Sequence, residues 1–282
     1  MPGVPVAGEL KPGDRLGPYR LEQVLGEGAM GIVFEATHEP DNEVVALKIL
    51  RPELSADETY RQRFAREGQI AGRLSHKHLV TVVDAGETDG HPYLATRYIV
   101  GQTLAELLET DGRLPLAPLL KIAAEIATAL DTLHNEGLVH RDVKPANIML
   151  DESGTSFLTD FGLAKGTAAT VLTKPGHVVG TLDYLAPEVI KGQAAGPPAD
   201  IYALGCVTYE CMAGRPPFGG GSFVEATLAS LEDEPTDPSA GREDLPPALS
   251  FAVLQALAKS PRDRPPTAAA YALMLRISAR PV

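Results

Sequence analysis

The sequence predicts an α+β chain, with a small antiparallel sheet lobe followed by a larger, mainly helical lobe. Two observations carry this expectation. Between Tyr19 and about Tyr98 short apolar runs, "YRLEQVLG", "GIVFEATH", "VVALKIL", "LVTVVDAG" and "YLATRYIV", alternate with turn residues such as "EPDNE" and "ETDGHP". From about Gly101 onward apolar residues recur at helical spacing. The clearest case is "LAPLLKIAAEIATALDTLHNEG", where Leu119, Ile122, Ile126, Leu130 and Leu133 share a face and Gly137 is the natural stop. A cleft between two such lobes is the default place for a ligand.

One helix interrupts the strands. In "SADETYRQRFAREGQIAGRL", Ser55 and Glu58 read as a capping box, and Phe64, Ala71 and Leu74 fall on one face. The polar, Pro-rich "SLEDEPTDPSAGREDLPPAL" reads as a surface loop, and no internal repeat is visible. With 282 residues, 44% of them hydrophobic, the chain can build a substantial core. A net charge of −12 argues against a general nucleic-acid binder and makes any phosphate binding local. Cys206 and Cys211 supply neither a disulfide framework nor four zinc ligands, and read as buried thiols in a reducing compartment. The N-terminal "MPGVPVAGELKPGDRLG" lacks the basic start and apolar run of a signal peptide, and no run of about 18 apolar residues exists to span a bilayer. A cytoplasmic protein without membrane contact from this segment is expected, while a longer, membrane-anchored parent stays open.

Several polar residues stand where the apolar pattern has no use for them. Gly26, Gly28 and Gly31 in "LGEGAMGIVFEA" form G-x-G-x-x-G, a backbone that can close over a phosphate without Cβ interference; an ordinary hairpin gives the same spacing. Because Ile32, Val33 and Phe34 continue as a strand, the motif reads as a glycine-rich hairpin rather than the opening of a helix. Lys48 lies within an apolar strand, and Glu67 lies on the inward stripe of the capped helix; together they become one ion pair if that helix packs on the sheet. "LVHRDVKPANIML" gathers His140, Arg141, Asp142, Lys144 and Asn147 between hydrophobic flanks. Asp160 follows after a strand, a turn at "ESGT" and a second strand. Such a hairpin returns Asp160 beside Asn147, and oxygen donors of that kind suit Mg²⁺, which also binds substrate phosphates. Asp142 is then left to orient an attacking hydroxyl.

These motifs, in this order, resemble the catalytic domain of protein kinases, most closely the eukaryotic-like (Hanks-type) serine/threonine kinases of bacteria. "GEGAMGIV" corresponds to the glycine-rich loop, "VALK" to the strand lysine, Glu67 to its helix partner, "HRDVKPAN" to the catalytic loop, "DFG" to the metal motif and "APE" to the end of the activation segment. The resemblance implies a bilobal kinase fold, with residues 1–18 as an N-terminal extension, 19–97 as the small lobe and 98–282 as the large lobe. It implies Asp142, Lys144, Lys48 and Glu67 as catalytic residues, and Asn147 and Asp160 as ligands of Mg²⁺, with Mn²⁺ an alternative. ATP would be held by Leu25, Gly26, Glu27, Gly28, Ala29, Met30, Gly31, Val33, Ala46, Lys48, Thr96, Arg97, Tyr98, Ile99 and Met149. Thr96 takes the gatekeeper position, and Arg97 stands where many relatives have Glu.

Lys144 and Thr181 imply serine/threonine rather than tyrosine substrates. Arg141 before Asp142 implies an activation segment ordered by phosphorylation, with Thr170 and Thr173 as the sites and a homodimer as one route to trans-autophosphorylation. Asp200 would brace the catalytic loop, Arg264 would pair with Glu188, and His140 would hold the loop against Phe161. A catalytically dead relative would lack Lys48, Asp142 or Asp160, and all three are present. A phosphotransferase for small molecules is disfavoured by "GTLDYLAPE" and Lys144.

Overall fold

The computed structural model describes residues 10–28, 31–160, 182–219 and 223–280. The chain divides into two compact units. One runs to His76 and takes in Val80–Ile99; the other comprises Lys77–Leu79 and the chain from Val100.

In the first unit, β1 (Arg15–Leu16), β2 (Tyr19–Glu27), β3 (Gly31–His38), β4 (Glu43–Leu50), β5 (Val82–Thr88) and β6 (His91–Arg97) form an antiparallel sheet ordered β1-β2-β3-β4-β6-β5. Asp89 and Gly90, both with positive φ, make the tight turn between β5 and β6 that the "DG" pair announces. Strand alternation sorts the side chains by face. Leu21, Phe34, Ala36, Val45, Leu47, Ile49, Tyr93 and Ala95 form one core, which Leu16 and Tyr19 join. Each large apolar side chain buried there contributes about 1.5–3 kcal/mol. Ala46 and Lys48 alternate with the buried residues of β4 and so face the other way. Their cross-strand partners, Thr96 and Leu94 on β6 and Val33 opposite Lys48 on β3, share that face.

Two helices follow β4. α1 (Pro52–Ser55) is a single turn, and α2 (Glu58–Ala71) is the helix expected from the sequence, except that it stops at Ala71 with Gly72 as its cap, so Leu74 lies in the turn that follows. The expected capping box is corrected: Ser55 ends α1 and donates its Oγ–H to the Pro52 carbonyl (3.0 Å), while Asp57 caps α2 by accepting from the Thr59 N–H (2.8 Å). Pro52 is preorganised for a first helical turn, and that separate turn consumes Ser55. Phe64 of α2 packs with Leu50 and Leu94. Because Leu94 lies across from Lys48, α2 covers the Lys48 face of the sheet. Gly68 permits the approach: a Cβ there would stand 2.6 Å from that of Ala85 on β5.

The second unit contains a three-stranded sheet of β7 (Gly101–Thr103), β8 (Ile148–Asp151) and β9 (Ser156–Leu158). Its helices are α3 (Leu104–Asp111), α4 (Leu116–Asn135), α5 (Pro187–Ile190), α6 (Pro197–Ala213), α7 (Phe223–Glu232), α8 (Pro247–Ala256) and α9 (Ala268–Ser278). The apolar stripe of α4 is buried as its period predicts, and Gly137, with φ of 72°, stops the helix while the Leu138 N–H bonds back to the Leu133 carbonyl (2.9 Å). α6 is buried on all sides and carries Cys206 and Cys211, whose thiols burial pushes upward and keeps protonated. α8 closes against α6 at Gly205, where a Cβ would lie 2.9 Å from that of Ala256. Arg264 and Glu188 form a buried bidentate pair with both N···O distances at 2.7 Å, as the sequence suggested. No helix among the described residues is long and apolar enough to cross a membrane.

Candidate active site

In the first unit the candidate residues line the β2–β3 hairpin and the face of β4 that carries Ala46 and Lys48. Gly26 pairs with Val33 and Glu27 with Ile32, and the Gly28 N–H donates to the Gly31 carbonyl at 2.9 Å. The glycines differ in what they permit. A Cβ on Gly31 would lie 2.3 Å from the Ile49 carbonyl oxygen, so this glycine lets β3 sit tightly on β4. Around Gly26 a Cβ would meet nothing within 4 Å, and at Gly28 only the Gly31 carbonyl oxygen at 3.8 Å. That open space is what an approaching phosphate group requires. Lys48 is half-buried beside this hairpin, and the backbone of Glu67 lies in the helix covering the Lys48 face, one residue before Gly68. The Glu67 side chain lies outside the described residues, as do Ala29 and Met30.

The strand beyond Lys48 continues the same face. The Thr96 hydroxyl donates to the Ala46 carbonyl at 3.3 Å. The Arg97 N–H donates to the Thr81 carbonyl at 2.9 Å. Burial and a hydrogen bond to the Glu35 carboxylate push the Tyr98 phenol up, and Ile99 is buried. Leu25 is well exposed at the far end of β2.

In the second unit the catalytic-loop candidates converge on a buried carboxylate. Asp200, at the start of α6 and 1% exposed, accepts the N–H groups of His140 and Arg141 and the Nε2–H of His134, each at 2.8 Å. Three donors satisfy a charge that burial would otherwise make costly. Arg141 is held at φ of 65°, a sparsely populated conformation for a residue with a Cβ and the kind of strain found at functional sites. His140 is fully buried, and burial pushes its pKa down. Its Nδ1 accepts the Asp142 N–H at 3.3 Å and its Nε2–H donates to the Thr159 carbonyl at 3.0 Å, which fixes a neutral tautomer. The Phe161 expected beside it lies outside the described residues.

Asp142 and Asn147 are joined directly. The Asn147 Nδ2 donates to both the Asp142 carbonyl (2.8 Å) and its Oδ2 (2.9 Å), and Lys144 Nζ stands 3.3 Å from that same oxygen. A 3-10 turn over Pro145–Asn147 produces this approach. Asn147 keeps its Oδ1 as an acceptor, which suits a hard cation. β8 and β9 pair as the predicted hairpin, with Ile148 opposite Leu158, and the Thr159 N–H donates to the Asn147 carbonyl at 2.9 Å. Asp160 therefore follows a residue bonded to Asn147, and its φ of 51° marks a second strained position. Met149 is half-buried between buried neighbours Ile148 and Leu150, so it projects from the opposite face of β8. Among the described residues, Arg141, Asp142, Tyr184, Leu185 and Ala199 border a small hollow of about 30 Å³ beside the loop. Thr170, Thr173, Thr181 and Gly162 lie outside the described residues.

Sequence reasoning passed over His134 and Asp131. They occupy the last turns of α4, where Asp131 accepts the Ala268 and Ala269 N–H groups of α9 at 2.9 Å each. One helical turn thus joins α9 on one side to Asp200 and the loop on the other. The only available signal was a polar pair following the apolar stripe.

A fold with a glycine-rich hairpin, a strand lysine and this catalytic-loop geometry defines a class, and the family comparison agrees: the chain belongs to the protein kinase domain family, whose model matches residues 19–272. Members of that family use ATP and a divalent metal ion and act on proteins. Among curated relatives it is 40% identical over 261 residues to the serine/threonine-protein kinase PknH of Mycobacterium bovis, covering 93% of this chain and 44% of the relative. It is 42% identical over 258 residues to the serine/threonine-protein kinase PknE of Mycobacterium tuberculosis, covering 91% and 45%. The chain therefore spans less than half the length of these relatives. The crystal structure of the Mycobacterium tuberculosis PknI kinase domain superposes with a TM-score of 0.76 at 32% identity, covering 96% of this chain and all of that one.

Proposed function

We propose that this chain is the catalytic domain of a bacterial signalling kinase that transfers the γ-phosphoryl group of ATP to serine and threonine hydroxyls of proteins. The observation that carries the proposal is the Asp142–Asn147–Lys144 cluster built on Asp200. It presents the Asp142 carboxylate to a substrate hydroxyl while an amide and an ammonium group fix its position. Asp142 orients the hydroxyl and takes its proton, and Lys144 meets the transferred phosphate. Lys48, oriented by Glu67, holds the α- and β-phosphates. Gly26 and Gly28, with the rest of Leu25–Gly31, cover the phosphates, Val33 and Ala46 of the first unit contact the base and the backbone of Arg97–Ile99 supports it, and Met149 is the second unit's candidate for the base. Asn147 Oδ1 and Asp160 hold Mg²⁺, with Mn²⁺ a substitute, and the bound ion supplies neutralisation of phosphate charge. Phosphoryl transfer needs positioning and electrostatics more than covalent chemistry, so this set suffices.

The chain acts in the cytoplasm in this reading, and two copies meet to phosphorylate each other at Thr170 and Thr173, which Arg141 then pairs with. Incubation with labelled Mg-ATP and a generic protein substrate, followed by acid hydrolysis, tests the proposal. Label on phosphoserine and phosphothreonine is expected; label on tyrosine alone, or none, refutes it. Mass spectrometry of the same sample should find phosphate at Thr170 or Thr173, at a rate that rises with protein concentration.

A further inference from the structure

We infer that Arg51 is a positioning residue for ATP, a clasp that holds Glu27 and Gly28 of the glycine-rich hairpin from the far end of the lysine strand. The inference rests on the reading of that hairpin as the phosphate-covering element. Arg51 follows Leu50, the last residue of β4 and the partner of Gly31. Its Nε–H donates to the Gly28 carbonyl at 3.0 Å, and its Nη2 lies 3.3 Å from Glu27 Oε2. Its own carbonyl accepts the N–H groups of Leu54 (3.0 Å) and Ser55 (2.9 Å), so the main chain of the same residue caps α1.

Two consequences follow for an anion at the hairpin. A glycine backbone binds phosphate through N–H groups, and a carbonyl turned toward the phosphate repels it. The bond from Arg51 holds the Gly28 carbonyl on a cation, while the Gly28 N–H is held by Gly31. In addition, Glu27 carries a negative charge beside the expected phosphate position, and the Arg51 guanidinium neutralises it. A guanidinium fork serves a carbonyl and a carboxylate together, which one ammonium group does less well. Because the clasp is partly exposed, its effect is moderate rather than absolute.

Calorimetric titration of Mg-ATP and of adenosine into the wild type, Arg51→Ala, Arg51→Lys and the Glu27→Gln/Arg51→Ala pair of backgrounds separates this role from others. Adenosine lacks phosphates, so it reports the fold and the base site alone. Arg51→Ala should weaken Mg-ATP binding by about fivefold and leave adenosine within about twofold. Arg51→Lys should recover only part of the loss. In the Glu27→Gln background, Arg51→Ala should still weaken Mg-ATP by about threefold, because the Gly28 bond persists there. Equal Mg-ATP affinity in Arg51→Ala and wild type overturns the clasp. So does a parallel loss of ATP and adenosine, which marks a general defect, or full recovery by lysine, which reduces the residue to a charge. A wild-type protein that binds no ATP overturns the kinase reading along with the clasp, and is distinguished by that fact.

Discussion

Asn147 donates its amide N–H groups to Asp142, and in the proposed reading its Oδ1 takes a cation. An Asn147→Asp substitution separates the tasks, since it keeps an oxygen donor but removes both N–H groups and sets a second carboxylate against Asp142. The expected result is a transfer rate at least about tenfold lower even at saturating Mg²⁺, measured by metal titration. Recovery at high Mg²⁺ would show that only the metal role matters. His140 makes a pH prediction. Its pKa is lowered by burial from an ordinary 6.5, as is that of His91, so the unfolded chain takes up protons there more readily than the folded one. Stability is therefore full above pH 6.5 and is lost as pH falls below it, by up to about 1.4 kcal/mol per pH unit for each such imidazole. Urea denaturation between pH 7 and 5 should show this decline, with a shallower slope in His140→Gln. Protonation of Nδ1 would also break its bond from the Asp142 N–H, but the folded imidazole is protonated only below its lowered pKa, so catalysis should fall at a more acid pH than the onset of the stability loss.

At the scale of elements, helix and strand packing is decided at a few glycines. Replacing Gly205 by Val drives side-chain carbons into Ala256 and Leu257, where a Cβ alone would already stand 2.9 and 3.1 Å away. Alanine there gains about 1 kcal/mol of helix propensity against two close contacts, but valine adds two more carbons without such a gain. Gly205→Val should therefore cost about 2–3 kcal/mol in chemical denaturation, and Gly205→Ala clearly less. Most elements were legible in the sequence, for identifiable reasons. The α4 stripe and Gly137 stop, the "DG" turn and the β8–β9 hairpin each follow from local periodicity or backbone preference. The start of α2 was not, because Ser55–Glu58 and Asp57 are both plausible caps in text. Only the Pro52 turn, which spends Ser55 on its own carbonyl bond, decides between them. Gly68, Gly205 and Arg51 were equally illegible, since their importance comes from neighbours distant in sequence.

At the scale of the whole chain, Arg264 ties together α5, the start of α6 and the turn over Pro261–Asp263. Its guanidinium reaches both Glu188 oxygens and the Ala258 and Pro198 carbonyls at 2.9 Å, with the Tyr202 ring beneath it. Arg264→Ala strands a buried carboxylate and should destabilise the protein by about 3–5 kcal/mol, read as a lower melting temperature. Glu188→Gln in the same background should restore part of that loss. The site itself was legible where motifs fix it, as with Asp142, Asn147 and Lys144. It was illegible where support comes from afar, as with His134 and Asp131, because no local pattern says that one turn of α4 contacts both α9 and Asp200. All of this support converges on the carboxylate of Asp142, and the most direct measurement is its replacement. Steady-state transfer to a protein substrate at saturating Mg-ATP should fall by about 10²–10⁴-fold in Asp142→Asn, with the KM for ATP changed by less than about threefold. Equal rates in the two proteins would contradict the account.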